Sequence, residues 1–127
     1  MKKLNKILVG THNQGKFDEI SFLLSKKIKK ISPKHLGIGS PKETGKSFIS
    51  NARLKANYFS KLSNMVALSD DSGLEIKSLG NKPGIHSARW AKKYGGFNNA
   101  MRKILKLLSK KKNSKRKAQF ICSLSIK

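Results

Sequence analysis

Three of the chain's six acidic residues fall within Asp70-Asp71-Ser72-Gly73-Leu74-Glu75, against 29 Lys and Arg in the whole sequence. Adjacent carboxylates repel, and keeping both ionised calls for a cation or strong hydrogen-bond donors. Magnesium on an anionic substrate is the simplest such partner, since it takes one or two carboxylates together with phosphate oxygens. Gly73 would let the backbone turn sharply and approach a ligand. An exposed turn is the competing reading, because Asp, Ser and Gly are all common there. The motif alone does not separate the two.

Thr11-His12-Asn13-Gln14-Gly15-Lys16 follows a short apolar run and opens a helical pattern. A helix start offers amide donors and partial positive charge to a phosphate. Thr11 and Asn13 add polar side chains, Gly15 allows close approach, and Lys16 adds a point charge. The Walker A spacing is absent. Thr11 or Asn13 acting only as a helix cap accounts for the same residues. Glu43 is the one acid between Glu19 and Asp70. It either complements a helix dipole or joins Asp71 as a second hard oxygen ligand. Asn51 and Lys55 are one helical turn apart and share a face, more often a solvent face than a substrate face, with a direction shared with Glu43 as the alternative. Pro83 to Trp90 gathers His86, Arg89 and the only Trp, with the core the commoner place for Trp90.

Elements that position these residues follow from periodicity. Ile7-Leu8-Val9-Gly10 reads as a buried strand. Phe17, Ile20, Leu23, Leu24, Ile28 and Ile31 predict a helix over 15–31, with Asp18 and Glu19 in its first turn and lysines in its last. Residues 32–46 read as loop with room for a short edge strand. A second helix is predicted over 47–62, with Phe48, Ala52, Ala56 and Phe59 facing the core. Strands are expected at 65–69 and 74–79, a turn at 80–84, and a third helix over 98–109 aligned on Met101, Ile104, Leu105 and Leu108. A basic connector spans 110–117. Ala118, Phe120, Cys122, Leu124 and Ile126 alternate, which predicts a half-buried strand with those residues inward. That makes Cys122 a small core residue.

A chain of 127 residues fits one domain, 1–127, around one core. The formal charge of +23 favours anionic partners. Arg occurs only at positions 53, 89, 102 and 116, and base-specific readout relies on Arg forks, so no specific nucleic acid is expected. A bias toward Lys, Asn and Ile explains the charge equally well. One cysteine rules out an intramolecular disulfide. Met1-Lys2-Lys3 resembles a signal n-region, yet Ile7-Leu8-Val9 is too short to be its apolar core. No stretch approaches transmembrane length. A cytoplasmic protein without a membrane partner is expected.

Taken in order, four blocks resemble the inosine triphosphate pyrophosphatase-like family, and within it the bacterial dITP/XTP pyrophosphatase branch. They are Thr11-x-Asn13-x-Gly15-Lys16, Glu43-Thr44-Gly45-x-Ser47-Phe48-x-x-Asn51-Ala52-x-x-Lys55-Ala56, Asp70-Asp71-Ser72-Gly73-Leu74 and Pro83-Gly84-Ile85-x-Ser87-Ala88-Arg89-Trp90. The resemblance implies an α/β fold with a mixed, elongated sheet flanked by helices and a homodimer. It also implies magnesium-dependent hydrolysis of ITP, dITP or XTP to the monophosphate and pyrophosphate, clearing deaminated purines from the nucleotide pool. Under it Thr11, His12, Asn13, Gln14, Gly15, Lys16 and Ser72 would bind substrate. Asp71 would be the proton acceptor, Asp71 and Glu43 would hold Mg2+, and Asp70 would support the site. Family members continue through further base-reading motifs, so the C-terminal part is expected to be missing here. A basic polyanion-binding fragment, or a nucleotide pyrophosphatase of other base specificity, are the alternatives.

Overall fold

A computed structural model describes residues 3–111 and 115–127. They form two compact units, one running to Asp71 and joined by Ser123–Lys127, the other Ser72–Cys122. The architecture is mixed α/β, with strands flanked by helices.

In the first unit β1 (Lys6–Val9) lies between β2 (Lys29–Ile31) and the start of β3 (Ala67–Ile76), all parallel. Ile7, Leu8 and Val9 are at most 1% exposed, as a central strand of a parallel sheet requires. Helix α1 (Gln14–Leu23) links β1 to β2, and α2 (Phe48–Ser63) links β2 to β3. The β1-to-β2 and β2-to-β3 crossovers run in opposite directions across the sheet, and right-handed connections then put α1 and α2 on opposite sheet faces. Ser47 and Ser50 form a capping box at the start of α2, and Asn64 ends it with φ 55°. Phe48, Ala52, Ala56 and Phe59 are buried as the spacing predicts. Phe59 packs with Leu8 and Ala67 at the centre of this unit's core.

In the second unit β3 continues to Ile76 and pairs antiparallel with β4 (Lys82–Pro83). Helices α3 (Ser87–Lys93) and α4 (Phe97–Ser109) follow. Ile104 and Leu108 pack on Ile76, with Trp90 half-buried against them. Strand β5 (Ala118–Ile126) pairs with β3. Ala67 and Lys127 exchange both backbone hydrogen bonds at 3.0 and 2.9 Å, the signature of antiparallel pairing.

Several expectations are corrected. The helix predicted over 15–31 stops at Leu23, because Leu24 is extended at ψ 152°, and Lys29–Ile31 is a strand. Spacing of Ile28 and Ile31 fits either element over so short a run. Asp18 and Glu19 consequently sit in mid-helix, the last turn carries no base, and no residue of α1 is buried, Phe22 and Leu23 being largely exposed. Residues 32–46 form no strand. The two strands expected at 65–69 and 74–79 are one continuous β3, so Asp70-Asp71 lies inside a strand and not in a turn. Gly73 is a buried strand residue there. Helix α3 was not foreseen within 83–90, and Met101 and Leu105 of α4 are exposed. The basic connector falls partly outside the described residues, at 112–114. The face of β5 is also reversed: Ala118, Phe120, Cys122, Leu124 and Ile126 point outward, Phe120 being 87% exposed. Alternation marks two faces of a strand but does not say which one meets the rest of the protein.

Candidate functional site

The site lies in the first unit, where the chain leaves β1 and runs along β3. The chain leaves the carboxyl end of β1, the central strand between β2 and β3, and ligands of open parallel sheets commonly bind outside the carboxyl ends of the strands. Gly10 sits at that end. A Cβ there would overlap Ser69 Oγ and come within 2.5 Å of the Phe59 ring, so only glycine lets β1, β3 and α2 pack this closely. Ser69 Oγ donates to Gly10 O at 3.1 Å, a buried lock between the two strands.

Residues Thr11–Lys16 turn the chain into α1. Thr11 Oγ1 accepts from Asn13 N at 3.1 Å, and Asn13 Oδ1 accepts from Lys16 N at 3.1 Å, so Asn13 caps the helix. Lys16 folds back to Asp70, Nζ to Oδ2 at 3.0 Å. The Asp70 side chain is 3% exposed and that of Lys16 34%. Thr11, His12, Asn13 and Gln14 instead line an open cleft toward β2.

Neighbouring strand residues point to opposite faces. Asp70 therefore meets Lys16 of α1, while Asp71 faces α2. This separation lets two adjacent carboxylates remain buried without sharing one environment. Asp71 accepts a hydrogen bond from the Asn51 side chain. Asn51 is 1% exposed, and its Oδ1 accepts from Gly45 N at 2.8 Å. An amide N–H can only donate, so this contact fixes the Asn51 amide with its NH2 toward Asp71. A Cβ at Gly45 would collide with Ser50 Oγ and lie 2.5 Å from Asn51 Oδ1. Gly45 is thus required by the clamp and not by backbone conformation. Lys55 Nζ lies 3.3 Å from Glu43 Oε1.

Burial, and then the Glu43 charge, push the Asp71 carboxyl above its ordinary value of 3.8. Lys55, the Asn51 hydrogen bond and Lys16 pull the other way, and burial prevails. Asp71 Oδ2 is buried without a hydrogen-bond partner. A buried carboxylate oxygen lacking a donor, close to the field of a second carboxylate, suits a hard cation. Among the described residues no group of three or more His, Cys, Asp or Glu assembles.

Asp70 is thus paired with Lys16 on one face of β3, and Asp71 meets Asn51, Glu43 and Lys55 on the other, whereas Ser72 belongs to the second unit. Of the two readings open for the Asn51 and Lys55 face, the structure takes the one toward Glu43, with Asn51 1% and the Lys55 side chain 12% exposed. Their signal was available: Asn51 lies three residues after Phe48 and beside Ala52, on the apolar stripe of α2. In the second unit Ser87 Oγ donates to Gly84 O at 2.7 Å and accepts from Leu74 N at 2.9 Å, which ties the 83–90 block to β3. Arg89 and His86 lie 3.1 Å apart. Among the described residues no helix is long and apolar enough to cross a membrane.

Comparison with known proteins agrees with this architecture. The chain is 42% identical over 123 residues to the dITP/XTP pyrophosphatase of Zymomonas mobilis, covering 95% of this chain and 59% of that protein. It is 40% identical to the dITP/XTP pyrophosphatase of Caulobacter vibrioides, covering 95% and 62%. The solved HAM1 protein of Coxiella burnetii superposes with a TM-score of 0.84 at 33% identity, over 98% of this chain and 63% of that one. A Mycobacterium abscessus structure described as nucleoside-triphosphatase and dITP/XTP pyrophosphatase gives 0.78 at 32% identity, over 95% and 64%. The chain spans about 60% of the length of the curated relatives it matches. The Ham1 family model matches residues 7–127, and the chain belongs to that family.

Proposed function

We propose that this polypeptide carries the triphosphate- and metal-binding half of a nucleotide pyrophosphatase that hydrolyses deaminated purine nucleoside triphosphates to the monophosphate and pyrophosphate. The observation that carries the reading is Asp71, a buried carboxyl with raised proton affinity, one oxygen without a hydrogen-bond donor, and Asn51 fixing its orientation. The dITP/XTP pyrophosphatases it resembles supply the substrate class. Homodimer formation and a cytoplasmic location belong to the same proposal.

Asp71 and Glu43 would hold Mg2+, which when bound offsets triphosphate charge and orients the phosphates for in-line attack. Lys16 and the first turn of α1 bind phosphate oxygens. Thr11 to Gly15 shape the loop so that backbone amides face the anion. Asp71 accepts a proton as water attacks the α-phosphorus, and the bond to the pyrophosphate oxygen breaks with its electron pair leaving on pyrophosphate. A carboxyl whose proton affinity is raised is the better base for this transfer. Lys55, held by Glu43, stands ready to meet phosphate charge as it develops.

The test is pyrophosphate release from ITP, dITP and XTP against ATP and dTTP, with and without magnesium, for the native chain and Asp71→Asn. Magnesium-dependent release from the deaminated purines, lost in the variant, supports the proposal. A folded sample with no turnover rejects catalysis by this chain.

A further inference from the structure

The Thr11–Gln14 segment has a second side. It forms one wall of a cleft of about 900 Å3 whose other wall is β2 and the turn after it. Lysines alone would mean little in a chain with 29 Lys and Arg among 127 residues. More telling, two of the three histidines, His12 and His35, line this cleft beside Lys29, Lys30 and Lys34, and no carboxylate does. Ser32 Oγ and His35 Nδ1 are 3.1 Å apart, and Ser32 Oγ also accepts from His35 N at 3.2 Å, so the ring is held in place. Lys30 Nζ donates to Ser25 O at 2.7 Å. None of the three lysines takes part in a salt bridge among the described residues, where Lys16–Asp70 and Lys55–Glu43 are the ion pairs seen.

We infer that this cleft is a second polyphosphate site, distinct from the Lys16–Asp70 side of the loop, and that it takes inorganic pyrophosphate. Lysines, imidazoles and a hydroxyl along one cleft with no acid in its lining are the chemistry that recognises condensed phosphate. The choice of pyrophosphate rests on the function proposed above, whereas the anion site stands on the cleft itself. A product held on the far wall of the loop would leave the reaction side free for the next triphosphate.

Pyrophosphate titrated into the metal-free native chain at about 0.15 M salt, where long-range attraction is largely screened, provides the test, read by calorimetry and amide shifts. Lys29→Glu/Lys30→Glu/Lys34→Glu should weaken binding at least about tenfold, with the native shifts centred on residues 11–14 and 29–36. Reversing Lys92, Lys93 and Lys103 in the second unit should leave it within about twofold, and Lys16→Ala should retain it. Equal losses in both triple variants would reduce the effect to net charge and overturn the site. Loss in Lys16→Ala alone would move the anion to the reaction side and overturn it too. Circular dichroism checks folding, and the single Lys34→Glu substitution replaces the triple if the latter unfolds. Because binding is read without turnover, an inactive chain that still binds pyrophosphate here rejects the catalytic proposal and keeps this one.

Discussion

Asp70 Oδ2 lies 3.0 Å from Lys16 Nζ, joining β3 to the first turn of α1 across 54 residues of sequence. The carboxylate is buried while the ammonium keeps contact with solvent, so the two partners are not equivalent. Removing the cation from a buried acid costs more than removing the acid from a partly exposed cation. Lys16→Ala is expected to destabilise the fold by about 1–3 kcal/mol, at the low end because the lysine is a third exposed. Asp70→Asn should cost less than Lys16→Ala. Urea denaturation of the single and double variants measures both values and their coupling.

Asp71 should trade stability for function. A carboxyl whose folded-state pKa lies above its unfolded value gives stability that is complete below the unfolded value, near 3.8 here, and is lost as pH rises through the folded value. At neutral pH the native chain therefore bears the cost of an ionised, desolvated Asp71. Asp71→Asn should raise stability at pH 7 by about 0.5–2 kcal/mol, with a gain that shrinks as the solution is acidified. A thermal denaturation series from pH 7 to pH 4 detects this, and a gain independent of pH would contradict the assignment.

Asn51 bridges Gly45 N–H and the Asp71 carboxylate. Asn51→Leu keeps the volume but strips both partners, and each buried group left without its bond costs about 1–3 kcal/mol. Asn51→Asp should be worse at neutral pH, since it adds a third carboxylate beside Asp71 and Glu43. Gly45→Ala should lower triphosphate turnover with a smaller stability loss, because the methyl displaces Asn51 without removing it. Parallel denaturation and activity measurements separate the three outcomes.

Gly10→Ala should destabilise by about 1–3 kcal/mol through overpacking, since the added carbon meets Ser69 and the Phe59 ring in a buried corner. Phe59→Leu in the same chain should recover part of that loss. A double-variant cycle in guanidinium reads the recovery directly.

The outward face of β5 predicts solution behaviour. Phe120, Leu124 and Ile126 are 87%, 62% and 61% exposed on a nine-residue strand without a charge. Uncharged, apolar strands of this kind invite association. Phe120→Lys should raise the concentration at which light scattering appears while leaving far-UV dichroism unchanged.

Much of the local structure was legible in the residues themselves. The Phe48, Ala52, Ala56, Phe59 spacing marks α2, and the Ser47–Ser50 capping box seen in the structure agrees with it. Ile7 to Val9 read as a buried strand, and that is what they form. The run Leu24 to Ile31 was ambiguous because two or three apolar residues satisfy both periods, and its pairing with β1 made it a strand. The acidic pair at 70–71 and the Thr11–Lys16 loop were legible as candidates, each with a plainer reading as turn or helix cap beside it. Sequence also presented Asn51 as a helix residue of either face, and presented Ala118–Ile126 as a strand with two distinguishable sides. Only the tertiary structure placed Asp70 toward Lys16 and Asp71 toward Asn51, turned Phe120 and Cys122 outward, and set His12 and His35 across one cleft. Spacing along a chain fixes which residues share a face, whereas the direction of that face depends on neighbours brought in from elsewhere in the fold.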